Sequence, residues 1–238
     1  MHFFDEHTRF FESSRVGTLL PDGTRSDRLR YRHEAIIERN RALYQGARVL
    51  DLASHDGRWS LAALDAGAVF VLGIEGRERY VSSANENFAA YNVSTEQYKF
   101  IQGDVPSAMA PFDAESFDII LCLGLFYHTI SHYQFFHQIF RLKPRYVILD
   151  TVITDGDGPL VRYKYEHDDD EFGTLRSTEG LPRSVIGIPS GDMIAMLCDH
   201  FRFDWKIIDW KTFGIERWDG MTDYEKDERR TYVLTNNV

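Results

Sequence analysis

Short apolar runs alternate with stretches of helical periodicity along most of the chain. The apolar runs predict strands in residues 48–52, 68–74, 98–102, 116–123, 146–149, 203–210 and 231–234. Apolar positions at helical spacing predict helices in residues 26–44, 57–66, 77–91, 133–142 and 190–200. Strands that alternate with helices form parallel sheets with right-handed crossovers. The pattern therefore predicts an α/β fold.

Residues 151–189 interrupt this alternation. They combine many acidic residues with several glycines and prolines and show no sustained period. A long stretch without periodicity inside a compact domain is often a functional loop. We therefore expect an irregular, acidic insertion on the substrate side of a single domain that covers residues 1–238.

Two aromatic doublets, Phe3-Phe4 and Phe10-Phe11, lie one helical heptad apart near the start of the chain. One face of an amphipathic helix can hold both doublets, which predicts a helix packed on the domain. The alternative is that residues 1–25 form a mobile lid over the ligand, because terminal segments are readily ordered by binding.

Charge and composition narrow the function classes. The 238 residues include 27 Lys or Arg and 37 Asp or Glu, a net charge of −10. This charge argues against a nucleic-acid partner, because a protein that binds nucleic acid needs clustered basic residues. Cys122 and Cys198 lie in apolar runs, as buried thiols of a reducing compartment do. The first residues include acids where a signal peptide needs basic residues, and no apolar run is long enough to cross a bilayer. We therefore expect a cytoplasmic protein without a membrane partner.

Residues 49–64 predict a strand, a tight turn and the start of a helix. Open α/β sheets bind nucleotide-like ligands at such turns, where the backbone N–H groups of the helix start point outward. The turn lacks the three glycines of a dinucleotide site, since only Gly57 is present. Asp51, at the end of the strand, would repel phosphate. S-adenosylmethionine fits better, because it carries positive charge and no phosphate.

Four segments resemble, in order and spacing, the motifs of class I S-adenosylmethionine-dependent methyltransferases. They are residues 49–57, Glu75, Gly103-Asp104 and residues 117–128. The resemblance covers roughly residues 48–150. It implies a Rossmann-like, doubly wound sheet of seven mostly parallel strands, with helices on both faces, an antiparallel last strand and the irregular insertion after the fifth strand. It also implies that the cofactor, S-adenosylmethionine, lies across the ends of the first strands.

Residues 123–129, 149–157 and 188–190 are similar to the subset that includes the wobble-uridine carboxymethyltransferases of tRNA. That group carries a long basic N-terminal extension for tRNA, and no such basic stretch occurs in this sequence. The shared pieces therefore indicate a catalytic scaffold rather than an RNA substrate. Methyl or carboxymethyl transfer to tRNA is the alternative enzyme function.

Two residues depart from the family's first motif, which usually reads acid-x-Gly-x-Gly-x-Gly. Ala53 and His55 replace the first two glycines. His55 needs either an ordinary or a left-handed backbone conformation, and His tolerates the latter better than branched residues do. The departures keep open a non-catalytic cofactor-binding module, whereas the intact acids of the motifs argue against it.

The chemistry of the cofactor assigns a role to each matched acid. Glu75 can accept both ribose hydroxyls, and Asp104 can accept from the adenine amino group while Val105 packs on the ring. Asp51 can orient the methionine end. The alternatives are ordinary turn acids for Glu75 and Asp104 and a structural carboxylate for Asp51. The predicted cofactor set is Asp51, Ala53, Ser54, His55, Gly57, Glu75, Gly103, Asp104, Val105 and Leu123.

A hydroxyl acceptor must lose its proton, so a base or a metal ion has to lie within reach. His128, after the fourth predicted strand, is the first candidate, and a structural histidine bonded to the backbone is its alternative. Asp150, at the end of the fifth strand, is the next candidate. The charge run of residues 166–171 is either a solvated loop or part of a magnesium site formed by Asp150, Asp168 and Asp169.

These residues together predict an O-methyltransferase that uses S-adenosylmethionine. The expected acceptor is a hydroxyl of a small polar molecule, preferably a saccharide or a natural-product intermediate. The preference for oxygen over nitrogen or carbon depends on His128, Asp150 and the acidic run, which are the groups that would remove or bind a hydroxyl proton.

Overall fold

The computed structural model describes residues 2–12, 27–167, 173 and 183–237. The strands are β1 (Arg48–Leu52), β2 (Phe70–Glu75), β3 (Tyr98–Gln102), β4 (Ile119–Leu123), β5 (Tyr146–Val152), β6 (Val161–His167), β7 (Arg183–Pro189), β8 (Phe203–Ile207) and β9 (Arg229–Asn236). Seven of them form one sheet in the order β3-β2-β1-β4-β5-β9-β8, and β6 pairs with β7 in a second sheet.

The α-helices connect these strands. They are α1 (Phe3–Glu6), α2 (Arg9–Glu12), α3 (Arg28–Ile36), α4 (Arg41–Tyr44), α5 (Arg58–Asp65), α6 (Glu78–Ala90), α7 (Val105–Met109), α8 (His132–Arg141), α9 (Gly191–His200) and α10 (Thr222–Glu225). Among the described helices, none combines the length and the apolar character needed to cross a membrane.

Strands β1 to β5 run parallel to one another, and β9 runs antiparallel to both β5 and β8. This confirms the predicted seven-stranded, mostly parallel sheet with an antiparallel last strand. The carboxyl ends of β1, β2, β4 and β5 therefore meet at one edge. Ligands of open α/β sheets bind at this edge.

Alternate residues of the central strands point to opposite faces of the sheet. Leu50 and Leu52 of β1 belong to one buried apolar cluster, which also contains residues of α7, α8 and α9. Val49 belongs to a second cluster, which contains residues of α1 to α6. Helices thus cover both faces, and this explains why the central strands are apolar almost without interruption.

The N-terminal helices differ from their prediction in detail. The predicted helix over residues 26–44 is divided into α3, a 3-10 turn and α4, because the Asn40 side-chain amide donates to the carbonyls of Ala35 and Ile36 at 2.9 and 3.2 Å. The aromatic doublets lie in α1 and α2, where Phe4 and Phe10 are fully buried. Residues 2–12 therefore pack on the domain, and residues 13–25 of the predicted lid lie outside the described residues.

The insertion is more regular than its sequence predicts. Strands β6 and β7 are antiparallel, in a register from Val161 opposite Pro189 to His167 opposite Arg183. Aromatic and β-branched residues favour this pairing, although Gly187 and the interspersed cations conceal the strand pattern. The expected absence of regular structure is thus corrected for these two strands.

Candidate active site

The turn after β1 contains three alternate residues with left-handed backbone conformations. The φ angles of Ala53, His55 and Gly57 are 56°, 52° and 82°. Ala53 and His55 thus adopt a conformation that glycine adopts most readily. A non-glycine residue in this region costs about 1–2 kcal/mol. Such conformations persist where the surroundings fix them, and they cluster at ligand sites.

The surroundings that fix the turn come from β2 and α6. The backbone N–H of His55 donates to Glu75 Oε2 at 3.0 Å, and the N–H of Ser54 donates to the Ile74 carbonyl at 3.0 Å. The His55 ring lies on the Tyr80 ring with 3.7 Å between centroids. The turn is therefore anchored at three points, two at the carboxyl end of β2 and one on α6.

Glycine is required at position 57 for packing as well as for backbone conformation. A Cβ atom there would lie 2.9 Å from Cε2 of Phe88 and 3.0 Å from Cζ of Phe100. These rings belong to α6 and β3, so the glycine lets α5 begin close against the second and third strands. Gly57 thus has a structural reason to be present, in addition to its predicted role beside the cofactor.

Asp51 is a buried carboxylate with little local compensation. It is 1% exposed, and its Oδ2 accepts from the Ser60 hydroxyl at 2.7 Å. Burial raises the pKa of Asp51 to about 7; the negative charges of Glu75 and Asp56 add to this, while the Ser60 hydrogen bonds oppose it. Within the described residues, no cation forms an ion pair with Asp51.

Glu75 and Asp104 occupy the positions that the motifs predict, but their surroundings differ. Glu75 is 5% exposed, and its two oxygens accept from the N–H groups of His55 and Arg77 at 3.0 and 2.9 Å. A carboxylate has about four acceptor sites, so capacity for two ribose hydroxyls remains. Asp104 is exposed and caps α7, accepting from the N–H of Ser107 at 3.3 Å and its hydroxyl at 2.8 Å.

The other predicted cofactor residues lie along the same edge. Gly103 directly follows β3, and its N–H donates to the Glu75 carbonyl at 3.0 Å. Val105 is 6% exposed and packs into an apolar cluster. Leu123 ends β4 and is half-buried. The structure therefore brings the turn, Glu75 and Leu123 to one edge, with residues 103–105 beyond β2.

His128 lies in the 3-10 turn Phe126–His128, which follows β4. Its Nδ1 is 3.0 Å from Oε2 of Glu166 in β6, and both side chains are largely buried. The inserted strands thus bring a carboxylate to the predicted base. A carboxylate in this position can orient an imidazole and stabilise its protonated form, which is what a histidine base requires.

Asp150 is the centre of a buried ion-pair network. Arg229 and Arg32 donate to its Oδ1 at 2.8 and 3.2 Å, and the hydroxyls of Tyr224 and Thr231 donate to its Oδ2 at 2.7 Å each. Burial alone would raise the pKa of Asp150, but the two guanidinium charges and the hydroxyl hydrogen bonds hold it at about 2.

We therefore revise the prediction for Asp150. Its side chain is fully buried, its oxygens are occupied by four donors, and a carboxylate with so low a pKa is a weak base. The predicted magnesium partners Asp168 and Asp169 lie outside the described residues. Among the residues that are described, no group of three His, Cys, Asp or Glu side chains is arranged to hold a metal ion.

The sequence did not reveal several members of this site. Glu166 was part of the acidic run, but nothing in its position indicated contact with His128, 38 residues earlier. Ser60, one helical turn into the motif helix, was the more accessible signal, because a hydroxyl near a buried acid often hydrogen-bonds to it. Arg32 and Arg229 come from opposite ends of the chain and carry no local signal.

The residues present fit S-adenosylmethionine. The buried Ser54 hydroxyl has no hydrogen-bond partner within the described chain, and buried polar atoms are normally paired. Asp51 and Glu75 form an acidic edge that suits a ligand with ammonium and sulfonium charges. The cofactor would be held by the turn after β1, the Ser54 hydroxyl, Asp51 and Glu75. Glu75 retains capacity for its ribose.

Residues 49–144 match the family model described as a methyltransferase domain. Similar sequences include a Methanocaldococcus jannaschii protein named as a ribosomal RNA large subunit methyltransferase, 29% identical over 102 residues, which are 42% of this chain and 26% of that protein. The ribosomal RNA large subunit methyltransferase K/L of Shewanella oneidensis is 42% identical over 60 residues, 25% of this chain and 8% of that protein. The matched segments are thus about a quarter or less of these relatives.

Solved structures share the fold over nearly the whole chain. The N-terminal domain of EvdMO1, solved in the presence of S-adenosylhomocysteine and D-fucose, has a TM-score of 0.62 and 20% identity, covering 99% of this chain and 97% of that one. An S-adenosylmethionine-dependent methyltransferase from Mesorhizobium loti has a TM-score of 0.56 and 13% identity, covering 81% and 92%. Each of these structures has the architecture seen here.

Proposed function

We propose that this chain, which belongs to the class I S-adenosylmethionine-dependent methyltransferases, transfers a methyl group to a hydroxyl of a small polar molecule. The preferred acceptor is a saccharide or a natural-product intermediate. The observation that carries the choice of oxygen is the contact between His128 Nδ1 and Glu166 Oε2, at 3.0 Å. A hydroxyl acceptor needs such a base, because it must lose its proton.

The roles of the chain's own residues follow from this contact. S-adenosylmethionine, when bound, supplies an electrophilic methyl group. His128 donates from Nδ1 to the Glu166 carboxylate, and the imidazole oriented in this way takes up the proton of the acceptor hydroxyl. Glu166 then stabilises the imidazolium that forms. The buried setting of both side chains limits access of water to the pair.

One structural neighbour favours a saccharide. The N-terminal domain of EvdMO1 was solved with D-fucose, a hydroxylated sugar, and shares the fold over 99% of this chain. At 20% identity this likeness concerns the fold, so the sugar is a guide for the acceptor screen. Saccharides present several hydroxyls, each of which needs a base for methylation.

The acceptor screen tests this proposal. Wild-type protein, S-adenosylmethionine and a panel led by saccharides are incubated, and S-adenosylhomocysteine is measured. His128→Gln and Glu166→Gln should lower the rate, His128→Gln by about 10²–10⁴-fold. The matched control His137→Gln replaces an exposed histidine of α8 and should retain activity. Equal activity of His128→Gln and wild type would contradict the assigned base.

Cofactor binding is tested separately by calorimetric titration with S-adenosylhomocysteine. We expect micromolar binding that Glu75→Ala weakens, and the same titration with magnesium or a chelator tests the predicted metal. Absence of binding by the wild type would contradict the cofactor site. Binding without transfer to any acceptor would instead support the non-catalytic module.

The second candidate is RNA modification. The relatives named as ribosomal RNA methyltransferases favour it, whereas the net charge of −10 opposes it. RNA binding by a methyltransferase of this kind would weaken as salt increases, because phosphate contacts release counterions. RNA binding measured at 50 and 200 mM salt tests this candidate function. If no salt-sensitive RNA binding is found, the candidate is excluded.

A further inference from the structure

We infer that Tyr127 is a positioning residue, held by Arg229, that keeps the His128 imidazole in contact with Glu166. This inference rests on the proposed role of His128 as the base. It gives the buried network of Asp150 a connection to the candidate site, although Asp150 itself has no room for substrate.

Arg229, Tyr127 and His128 form a chain of consecutive contacts. The Arg229 guanidinium carbon lies 5.4 Å from the centroid of the Tyr127 ring. The Tyr127 ring in turn lies 4.1 Å from the His128 imidazole, centroid to centroid, with 37° between the ring planes. A cation within about 6 Å of an aromatic face is attracted to it. The Tyr127 ring therefore contacts both the Arg229 guanidinium and the His128 imidazole.

Arg229 is well placed to hold this ring because its own position is fixed. Its side chain is 11% exposed, Nη1 donates to Asp150 at 2.8 Å, and Nε donates to Asp223 at 2.9 Å. Burial alone would lower the pKa of Arg229, but the charge of Asp150 raises it well above its ordinary value. The guanidinium is therefore a permanent cation.

The backbone leading to Tyr127 is also set close to this arginine. Gly124 has a φ of 95°, and a Cβ atom there would lie 4.0 Å from Nη1 of Arg229. Arg229 thus runs beside the segment that connects β4 to the 3-10 turn. Arg229 therefore lies near both the segment before the 3-10 turn and the Tyr127 ring within it.

The His128 ring is restrained from two elements of the fold. Glu166 restrains Nδ1 from the inserted strand β6, and Tyr127 restrains the ring from the adjoining turn. Loss of the Tyr127 ring should therefore loosen the contact with Glu166 even though the carboxylate is unchanged.

The test substitutes Tyr127 and leaves the ion pairs of Arg229 intact. Tyr127→Leu removes the ring, and the matched Tyr127→Phe retains it. Nitrogen-15 spectra of labelled histidine side chains report which ring nitrogen is protonated, and the spectrum of His128→Gln identifies the signals of His128. Tyr127→Leu should move these signals toward those of freely exchanging tautomers, as Glu166→Gln should. Tyr127→Phe should match wild type.

The inference is overturned if Tyr127→Leu leaves the His128 signals at their wild-type positions while Glu166→Gln moves them. With an acceptor in hand, Tyr127→Leu should also lower kcat about 10- to 100-fold at an unchanged KM, since misplacement of a catalytic group costs rate rather than binding. Because the spectra need no acceptor, they separate the two ideas. Shifted signals without any methyl transfer would contradict the proposed function alone, and unshifted signals with an inactive His128→Gln would contradict the positioning role alone.

Discussion

Asp51 and Asp150 are buried carboxylates two strands apart in the same sheet, yet the protein shifts their pKa values in opposite directions. Asp150 has two arginines and two hydroxyls as donors, and its pKa falls to about 2. Asp51 has a serine hydroxyl and two acidic neighbours, and its pKa rises to about 7. Burial opposes the charged form at both sites, so the difference comes from the partners.

This difference distinguishes a completed structural site from a site that needs a ligand. A buried charge that is fully paired contributes to the native structure, and removal of one partner is costly. A buried carboxylate without a cation is unfavourable in the free protein, but a cationic ligand can compensate it. The end of β1 therefore suits the charged methionine end of the cofactor, whereas the end of β5 holds α3, α10 and β9 together.

The largest expected effect is at Asp150. Asp150→Asn removes the buried anion that Arg32 and Arg229 share, so we expect the free energy of unfolding to fall by about 3–5 kcal/mol. Urea unfolding at pH 7.5 measures this change. The matched control Asp104→Asn alters an exposed helix cap and should cost at most about 1 kcal/mol. If Asp150→Asn is as stable as the wild type, the structural role of Asp150 is contradicted.

At Asp51 the same substitution should have the opposite sign. Its folded pKa is raised from 3.8 to about 7, so its contribution to stability is present below pH 3.8 and is lost as the pH rises through 7. Asp51→Asn cannot ionise, so it should be more stable than wild type at pH 8, by up to about 4 kcal/mol at 1.36 kcal/mol per pKa unit.

Unfolding free energies at pH 5 and pH 8 test this expectation for Asp51→Asn. The advantage of the variant should grow between the two values. The contribution of Asp150, in contrast, is complete above pH 3.8 and lost only as the pH falls through about 2. A constant difference between Asp51→Asn and wild type would mean that Asp51 does not titrate in this range.

The sequence predicted the sheet correctly because strands depend on local patterns, and the predicted cofactor residues lie along one edge of that sheet. Apolar runs give the strands, and the motif from Asp51 to Gly57 is contiguous. The roles of Asp150 and Glu166 depend on partners that are distant in sequence. Arg32 is 118 residues from Asp150, and Glu166 in β6 is 38 residues from His128. An acidic residue at the end of a strand can bind a ligand or take part in an ion-pair network, and the local sequence does not distinguish these two roles.

Ligand binding should reveal the unpaired state of Asp51 with a smaller effect. A bound ammonium group favours the ionised carboxylate, so binding of S-adenosylhomocysteine near pH 7 should release protons and strengthen as the pH rises. Between pH 6 and 8 we expect up to about tenfold tighter binding. Calorimetry in two buffers of different ionisation enthalpy measures the protons. Asp51→Asn should abolish the release, whereas undiminished release would assign it to another group.

The smallest expected effect concerns the strained turn beside Asp51. Ala53→Gly relieves a positive φ of 56° and should stabilise the free protein by about 0.5–1 kcal/mol, since the strain relieved exceeds the added chain entropy of glycine. Lys143→Gly relieves a similar φ of 49° at an exposed site and should stabilise comparably. Only Ala53→Gly should weaken S-adenosylhomocysteine binding, because its turn loses preorganisation. If Ala53→Gly and Lys143→Gly bind S-adenosylhomocysteine equally well, the strain at Ala53 serves the structure of the domain, as the four hydrogen bonds to Asp150 do. It would then have no role in cofactor binding.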